Sequence, residues 1–460
     1  MFEPQNRIII VDNLTTELET LGKSFFQNGL GCRTFVYSAE YYEPLKNVRI
    51  AFFDINLTSN TVDHNYESID KIITNNSAVF NDLAIAINQY IHKDNGPYAL
   101  FFWTANKGVV EAFIKYMQTE ERGYSDTASP ILVSCIDKTE YSSNKNDIDD
   151  EQQIKLSQRI LSLFNNEKIK FLFGFEENSR IAGEKTLNRI YDILPKDKKW
   201  GESSILFDNI DKVFSKIAAS TLGFEFSKEN PQRAIYEGLL PISNNEFLNL
   251  NSKVNWSEIV TSLLKASKYS DLKSPEIDIL NKVNSVFHIE KSNGSKDRRG
   301  VVIEIDKTKI ELINSFGLDD INKWFQKILA IKDGKDYFKS KLFEDSKLIA
   351  VEFSAACDYS NKKSRINKYI LGVLTPYIDT EKDINLKSRV ESSYHVGGCS
   401  FHIEGFNNKQ VWLNLNYVFG AKSDDARFGE SLFVLKKEIM DMIGNKYASH
   451  ISRIGITSIH

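Results

Sequence analysis

The sequence predicts an α/β protein that begins with a doubly wound parallel sheet, continues as a helical region and ends as an α+β domain with a small antiparallel sheet or barrel. Continuous apolar runs such as 8–11 and 50–53, separated by amphipathic stretches, predict the first sheet. Strands that are apolar on both sides are typical of parallel sheets covered by helices. Near Phe287 the pattern changes to alternating runs, which predict the antiparallel sheet.

The amino-terminal part alternates apolar runs with amphipathic stretches. The predicted strands are 7–11, 33–37, 48–53, 98–103 and 131–136. The predicted helices are 14–28, 68–92 and 109–117. Strands that alternate with helical patterns indicate a parallel sheet with helical crossovers.

A polar and mostly acidic stretch, 137–153, ends this part, and helical periods follow it. The predicted helices are 154–163, 171–194, 205–222 and 256–268, the second of which ends before Pro195. The later predicted strands are 301–305, 348–353, 369–374, 400–403 and 411–418, and a long helix, 431–450, closes the chain. We therefore divide the chain into a sheet domain (1–165), a helical region (166–285) and an α+β domain (286–460).

The composition argues against several classes of protein. With 58 Lys and Arg residues against 62 Asp and Glu residues, the net charge is -4, so no general basic surface is available for nucleic acid. The apolar runs are too short to cross a bilayer, and residues 1–7 lack the layout of a secretion signal. The 4 cysteines are too scattered for a disulfide framework. We expect a cytoplasmic protein without membrane attachment; its oligomeric state is not predicted.

Four polar side chains follow predicted strands at the point where each strand ends. They are Asp12, Asp54, Thr104 and Lys138. Because the carboxyl ends of parallel strands meet at one edge of a sheet, we expect these side chains to share a pocket. Two carboxylates, a hydroxyl and an ammonium group can together hold a divalent cation and a phosphoryl group.

Phosphoryl transfer onto a carboxylate is the chemistry that suits this set. Asp54 would be the nucleophile, while Asp12, Asp54 and the backbone carbonyl of Asn56 would hold Mg²⁺. Thr104 would donate its hydroxyl to one phosphoryl oxygen, and Lys138 would neutralise another. The alternative is that Asp12 and Asp54 only cap helices or form turns, as residues between strands and helices often do.

On these residues, approximately 5–165 resembles the receiver domain of two-component response regulators, which has a flavodoxin-like fold. The motifs that carry the resemblance are Val11-Asp12-Asn13, Phe53-Asp54-Ile55-Asn56, Trp103-Thr104-Ala105 and Lys138. The resemblance implies a phosphoacceptor protein rather than an enzyme, in which Asp54 takes a phosphoryl group from a sensor histidine kinase in a Mg²⁺-dependent step.

The segment departs from the receiver pattern at three points. Asn13 stands where receivers usually carry a second acidic residue, Thr139 replaces the proline that commonly follows the lysine, and the spacings around Thr104 are long. A missing acidic ligand lowers affinity for Mg²⁺. The alternative hypothesis is therefore a degenerate receiver that acts as a binding or scaffold protein without phosphorylation.

Three later segments resemble receiver-domain proteins of bacterial anti-phage two-component-like systems of the Detocs type. They are 171–182 (FLFGFEENSRIA), 351–360 (VEFSAACDYS) and 447–456 (YASHISRIGI). This resemblance implies a role in antiviral defence, with a sensor histidine kinase upstream and an effector protein downstream.

Two further hypotheses concern the last domain. Cys357, His395, Cys399 and His402 combine an H-x3-C-x2-H spacing with one distant thiol, which would supply four zinc ligands. Cys357 could alternatively be a nucleophile activated by a histidine, or an inert buried thiol. In the basic loop 291–300, Arg298 and Arg299 are either solvated or in contact with phosphate groups.

Overall fold

The secondary structure is that of a computed structural model, which describes the chain apart from residues 1–6, 28, 59, 61, 63–67, 106, 120–126, 142–149, 163–164, 252–253, 291–293, 333–335, 355–365, 386–387 and 453–460. The chain forms two compact units. The first unit comprises Met1–Lys185 and Asn245–Ala266, and the second comprises Thr186–Asn244 and Ser267–His460.

A five-stranded parallel sheet forms the centre of the first unit. Its strands are β1 (Ile8–Asp12), β2 (Arg33–Val36), β3 (Ile50–Phe53), β4 (Ala99–Thr104) and β5 (Leu132–Asp137). They lie in the order β2-β1-β3-β4-β5, and every pair is parallel. This is the strand order of flavodoxin-type doubly wound sheets, and the predicted parallel sheet is confirmed.

Helices cover both faces of this sheet because its strands are apolar on both sides. The helices are α1 (Thr15–Gln27), α2 (Ile69–Asn75), α3 (Ser77–Tyr90), α4 (Val110–Met117) and α5 (Asp150–Ser162). Ile8 and Ile10 face a core with α1 and α5, whereas Ile9 and Val11 face a core with α2, α3 and α4. Helices on both faces make the sheet doubly wound.

Two connections in the first unit differ from the predicted pattern. The predicted helix 68–92 is divided at Asn76, where α2 ends and α3 begins. The connection between β2 and β3 contains no helix. Instead, Tyr41 of this connection stacks on Tyr90 of α3, with ring centroids 4.5 Å apart.

The first unit also contains helical segments beyond the sheet. These elements are α6 (Glu167–Ile193), α9 (Pro231–Leu248), α10 (Trp256–Ile259) and α11 (Thr261–Lys265), although parts of α6 and α9 belong to the second unit. Glu176 of α6 forms ion pairs with Arg7 and Arg49, which lie at the amino ends of β1 and β3. Phe171 packs edge to face on Trp256. The predicted helix 256–268 is broken at Val260.

The helices of the second unit include α7 (Ser204–Leu222), α8 (Phe224–Glu229), α12 (Ile277–His288), α13 (Ile310–Asn314), α14 (Ile321–Leu329) and α15 (Asp336–Asp345). Gly223, with φ +82°, joins α7 to α8 in a conformation that favours glycine. Among the described residues, no helix combines the length and apolar character needed to cross a membrane.

An eight-stranded antiparallel sheet completes the second unit and is larger than the predicted small sheet. Its strands are β6 (Ile289–Glu290), β7 (Val301–Ile305), β8 (Lys347–Glu352), β9 (Asn367–Pro376), β10 (Ser393–His395), β11 (Phe401–Ile403), β12 (Asn407–Ala421) and β13 (Ser431–Leu435). The order is β10-β12-β9-β8-β7-β13-β6, with β11 also paired to β12. Buried apolar clusters lie on both faces.

The predicted closing helix, 431–450, is wrong over its first residues. Ser431–Leu435 is strand β13, and the helix that follows, α16, covers Lys437–Ile451. Phe433, Val434 and Leu435 are buried because β13 lies between β7 and β6. Pairing with strands that are distant in the sequence therefore makes this segment a strand rather than part of the helix.

Candidate functional site

Four of the residues singled out by the sequence lie at the carboxyl ends of neighbouring strands. In the sheet, the residue before Asp12 pairs with the residue before Asp54. Asp12 and Asp54 therefore lie beside each other at the carboxyl ends of β1 and β3. Thr104 ends β4, and Lys138 follows the end of β5. We call the edge formed by these four residues the rim.

Asp54 is a buried carboxylate that lies close to the ammonium group of Lys138. Only 3% of the residue is exposed. Its Oδ1 accepts a hydrogen bond from the backbone N–H of Ile55 at 2.8 Å, and its Oδ2 lies 3.5 Å from Nζ of Lys138. Burial raises the pKa of Asp54, although the charge of Lys138 opposes the shift. The structure thus brings the proposed nucleophile and the proposed ammonium group together.

Asp12 has one satisfied and one unsatisfied oxygen. Its Oδ1 accepts a hydrogen bond from the backbone N–H of Leu14 at 2.8 Å, which supports the turn into α1. Its Oδ2 is buried and has no hydrogen-bond partner among the residues that the structure describes. Burial is the main cause that raises the pKa of Asp12 to about 7. A buried carboxylate oxygen without a partner is costly, and a cation or proton would satisfy it.

Glu17, which the sequence pattern does not single out, lies closer to the ammonium group of Lys138 than Asp54 does. Its Oε2 lies 2.6 Å from Nζ of Lys138, closer than the carboxylate of Asp54. Burial lowers the pKa of Lys138, but the charges of Asp54 and Glu17 outweigh it and the net shift is upward. Glu17 lies in the first turn of α1, where an acidic residue is usually explained by the helix dipole.

The rim has more acidic than basic groups. The carboxylates of Glu17 and Asp54 lie 2.6 Å and 3.5 Å from the ammonium group of Lys138, and the charge of Asp12 also raises the pKa of that group. The charges of Glu17 and Asp54 add to burial in raising the pKa of Asp12. Such a cluster is stabilised by an added cation or by protonation, because either reduces the repulsion between carboxylates.

Asn13 and Asn56 form a bridge beside the carboxylates. The side-chain Nδ2 of Asn13 donates to the backbone carbonyl of Asn56 at 2.9 Å. This carbonyl is the one expected to bind Mg²⁺, and it keeps a second lone pair for that purpose. The side-chain Oδ1 of Asn56 accepts from the backbone N–H of Val62 at 3.2 Å. Asn13 thus uses one lone pair of this carbonyl, which an acidic residue at its position would leave free.

Thr104 and Thr139 complete the description of the rim. Thr104 is fully buried at the end of β4, next to the strand that Lys138 follows. Thr139 donates its backbone N–H to Oδ1 of Asp137 at 3.0 Å, in a short 3-10 turn over Lys138–Glu140. The side chain of Asp137 thus caps the turn that begins at Lys138.

The donor set at the rim suits a hard cation only in part. In the described part of the chain, no three His, Cys, Asp or Glu side chains form a group that could hold a metal ion. The candidate ligands for Mg²⁺ are therefore two carboxylates and one carbonyl, from Asp12, Asp54 and Asn56. Oxygen donors of this kind fit Mg²⁺, which keeps several water molecules when it binds to proteins.

The histidines of the zinc hypothesis have other contacts. Nε2 of His395 lies 3.0 Å from the backbone carbonyl oxygen of Cys399, and its ring stacks on Trp412. Nδ1 of His402 lies 3.2 Å from Oδ1 of Asn408 on the neighbouring strand. Burial lowers the pKa of His395 to about 4 and raises that of Cys399 to about 11.

Among the described residues, these contacts do not form a zinc site. His395, Cys399 and His402 belong to the described residues, for which no metal-holding group is found. Cys357, as the fourth zinc ligand or as the nucleophile, lies outside the described residues.

The two arginines of the basic loop bind other parts of the second unit. Arg298 pairs with Glu290. Arg299 pairs with Asp441 at 2.8 Å and donates to the backbone carbonyl of Ser354 at 3.2 Å. Because both guanidinium groups have internal partners, the structure favours a structural role for them over phosphate contact.

No protein-family model matches the chain, and neither the curated proteins nor the solved structures contain a match.

Proposed function

We propose that the first unit is a receiver-like phosphoacceptor domain in which Asp54 takes a phosphoryl group from the phosphohistidine of a sensor kinase. The observation that carries the proposal is the buried carboxylate of Asp54, 3.5 Å from Nζ of Lys138, with Asp12 at the same level on the next strand. The anti-phage resemblance extends the proposal to a defence system in which the chain passes the signal to an effector protein.

The proposed step needs few groups. An oxygen of the ionised Asp54 attacks phosphorus, the P–O bond forms, and the P–N bond to the donor histidine breaks. The imidazole nitrogen keeps the electron pair and takes a proton from water. Lys138 favours the ionised form of Asp54 before the reaction and then faces the charge of the acyl phosphate. A phosphoryl group adds about -1.5 to -2 charge at this edge of the sheet.

Asp12, Asp54 and the backbone carbonyl of Asn56 would hold Mg²⁺. The unsatisfied Oδ2 of Asp12 and the excess of carboxylates support this assignment. When bound, Mg²⁺ supplies positive charge that stabilises the phosphoryl oxygens. The residues of the chain contribute the pocket, the nucleophile and the ammonium group.

Intact-mass measurement tests the proposal. The full chain is incubated with acetyl phosphate and Mg²⁺, and the expected result is a mass increase of one phosphoryl group. Asp54→Asn should abolish the increase. Asp70→Asn is the matched control, because the Asp70 side chain is 81% exposed on α2. A wild-type chain that gains no mass, or an Asp54→Asn variant that gains as much, contradicts the proposal.

A second candidate function is that of a degenerate receiver that binds partners without being phosphorylated. Two observations favour it, the hydrogen bond from Asn13 to the carbonyl of Asn56 and the 2.6 Å pair between Lys138 and Glu17. Both contacts occupy groups that phosphorylation requires. If this candidate is right, acetyl phosphate leaves the mass of the protein unchanged. Neither Mg²⁺ nor acetyl phosphate then changes its thermal stability.

A further inference from the structure

The ammonium group of Lys138 has a closer partner than the proposed nucleophile. Its Nζ donates a hydrogen bond to Oε2 of Glu17 at 2.6 Å, whereas Oδ2 of Asp54 lies 3.5 Å from it. Hydrogen bonds from an ammonium group to a carboxylate are usually about 2.7–2.9 Å long and weaken with distance. In the unmodified chain, Lys138 is therefore held more strongly by Glu17 than by Asp54.

The pair formed by Glu17 and Lys138 is partly buried. The exposed fraction of the side chain is 23% for Glu17 and 19% for Lys138. In the pair formed by Lys115 and Asp70 of the same unit, these fractions are 55% and 81%. Water and salt screen the attraction between two charges less when the charges are buried. The Glu17–Lys138 pair therefore contributes more than such a surface pair does.

Short backbone segments fix both ends of the Glu17–Lys138 pair. The N–H of Glu17 donates to the carbonyl of Leu14 at 3.2 Å, and the N–H of Leu14 donates to Oδ1 of Asp12 at 2.8 Å. Lys138 begins the 3-10 turn that the side chain of Asp137 caps. The pair is thus built into the same turns that form the rim.

Phosphorylation of Asp54 would place a second demand on the same ammonium group. Because Oδ1 of Asp54 accepts the N–H of Ile55, Oδ2, on the side of Lys138, is the oxygen placed to receive the phosphoryl group. This group adds about -1.5 to -2 charge. A single positive charge cannot neutralise both the phosphoryl group and the carboxylate of Glu17. Glu17 and the phosphoryl group therefore compete for Lys138.

We propose that Glu17 is a positioning residue that slows the phosphorylation of Asp54 by holding Lys138 away from the transferring phosphoryl group. The inference rests on the proposed phosphorylation of Asp54 and names a residue that controls its rate. The hydrogen bond to Glu17 has to weaken before Lys138 can neutralise the phosphoryl oxygens. The contact that favours a degenerate receiver is then a restraint that phosphorylation overcomes.

The strength of the hydrogen bond sets the expected change in rate. A hydrogen bond to a charged group is strong enough to change a rate by roughly tenfold to a hundredfold. Glu17→Gln keeps the size of the side chain and removes its charge, so its remaining contact with Lys138 is roughly half as strong. We therefore expect phosphorylation of Asp54 to be about tenfold faster in Glu17→Gln.

The rate of mass gain tests the inference. The full chain is incubated with acetyl phosphate and Mg²⁺, and intact mass is measured over time for the wild type, Glu17→Gln and Glu19→Gln. Glu19→Gln is the matched control, because Glu19 is exposed on the same helix and the charge changes by the same amount. It should be phosphorylated at the wild-type rate. Circular dichroism should show equal helix content in all variants.

A second pair of variants shows whether Glu17 acts through Lys138. In chains that carry Lys138→Met, Glu17→Gln should change the rate by less than about twofold, because no ammonium group remains to be released. A gain of about tenfold that persists with Lys138→Met would mean that Glu17 repels the anionic donor directly, and would overturn the inference.

The remaining outcomes separate this inference from the proposed function. Equal rates for the wild type and Glu17→Gln, with mass gained by both, overturn the role of Glu17 and leave phosphorylation of Asp54 intact. If neither the wild type nor any variant gains mass, the proposed function fails, and the inference that rests on it fails too.

Discussion

Replacing Asp12 by Asn should change how the stability of the first unit depends on pH. In the folded chain the pKa of Asp12 is raised from 3.8 to about 7, mainly by burial. The charges that face it are Glu17 and Asp54, which raise the pKa, and Lys138, which lowers it. Between these two pKa values the folded state binds more protons than the unfolded state, so stability falls as pH rises through this window. Asn cannot ionise, so the substitution removes the contribution of Asp12 to this fall.

The magnitude follows from the shift. A pKa difference from 3.8 to about 7 corresponds to about 4 kcal/mol of unfolding free energy. Of this, about 3 kcal/mol is lost between about pH 5 and about pH 8. The Asp12→Asn variant should therefore gain about 3 kcal/mol relative to the wild type over that range. The contact to the N–H of Leu14 can persist, because Asn keeps an oxygen at Oδ1.

Hydrogen exchange of the backbone amides of β1 and β3 measures this free energy for the first unit alone. Protection in the wild type should decrease toward higher pH after correction for the intrinsic rate. Protection in Asp12→Asn should decrease less, because only the raised pKa of Asp54 then contributes a fall of the same sign. Mg²⁺ at saturating concentration should restore protection to the wild type only. Asp70→Asn, which removes an exposed carboxylate, should leave the wild-type pH dependence unchanged. Parallel pH profiles for wild type and Asp12→Asn would refute the reasoning.

Three other predictions concern single groups. Glu17→Gln should lower the pKa of Asp54, because the charge of Glu17 is one cause of its rise. NMR titration of the Asp54 carboxyl group measures this pKa, and an unchanged value would contradict the prediction. Asn13→Asp should raise the affinity for Mg²⁺ by about tenfold in calorimetric titration, since it adds an acidic ligand; equal affinities would contradict the assigned site. His395 should titrate near pH 4 in NMR spectra of its ring. Because the ring has a pKa of 6.5 in the unfolded chain, the free energy of unfolding should fall as the pH drops from 6.5 to about 4. Titration of His395 near 6.5 would contradict its burial.

The parallel sheet was predictable because its strands have a strong local pattern. The strands β1 and β4 are buried along their whole length, so each appears in the sequence as a continuous apolar run. A polar residue directly after such a run lies at the carboxyl end of a strand. No long-range information is needed to place Asp12, Asp54 and Thr104 at the carboxyl ends of β1, β3 and β4 in this way, whereas Lys138 lies one residue beyond the end of β5.

The rest of the site could not be predicted, because it depends on contacts between distant residues. Glu17 resembles any acidic residue in a first helical turn until Lys138, far away in the chain, is placed beside it. Likewise, the bond from Asn13 to the carbonyl of Asn56 joins two loops that the sequence does not relate. The antiparallel strand β13 was missed for the same reason, since a short apolar run beside an amphipathic stretch suits either a strand or a helix.

The most direct test of the phosphoacceptor claim is to locate the acyl phosphate itself. After incubation with acetyl phosphate and Mg²⁺, borohydride reduces an aspartyl phosphate to homoserine, which tandem mass spectrometry of the peptides identifies by position. We expect homoserine at position 54, with none in a sample from which the phosphodonor is omitted. Homoserine at another aspartate, or at none, would contradict phosphorylation of Asp54.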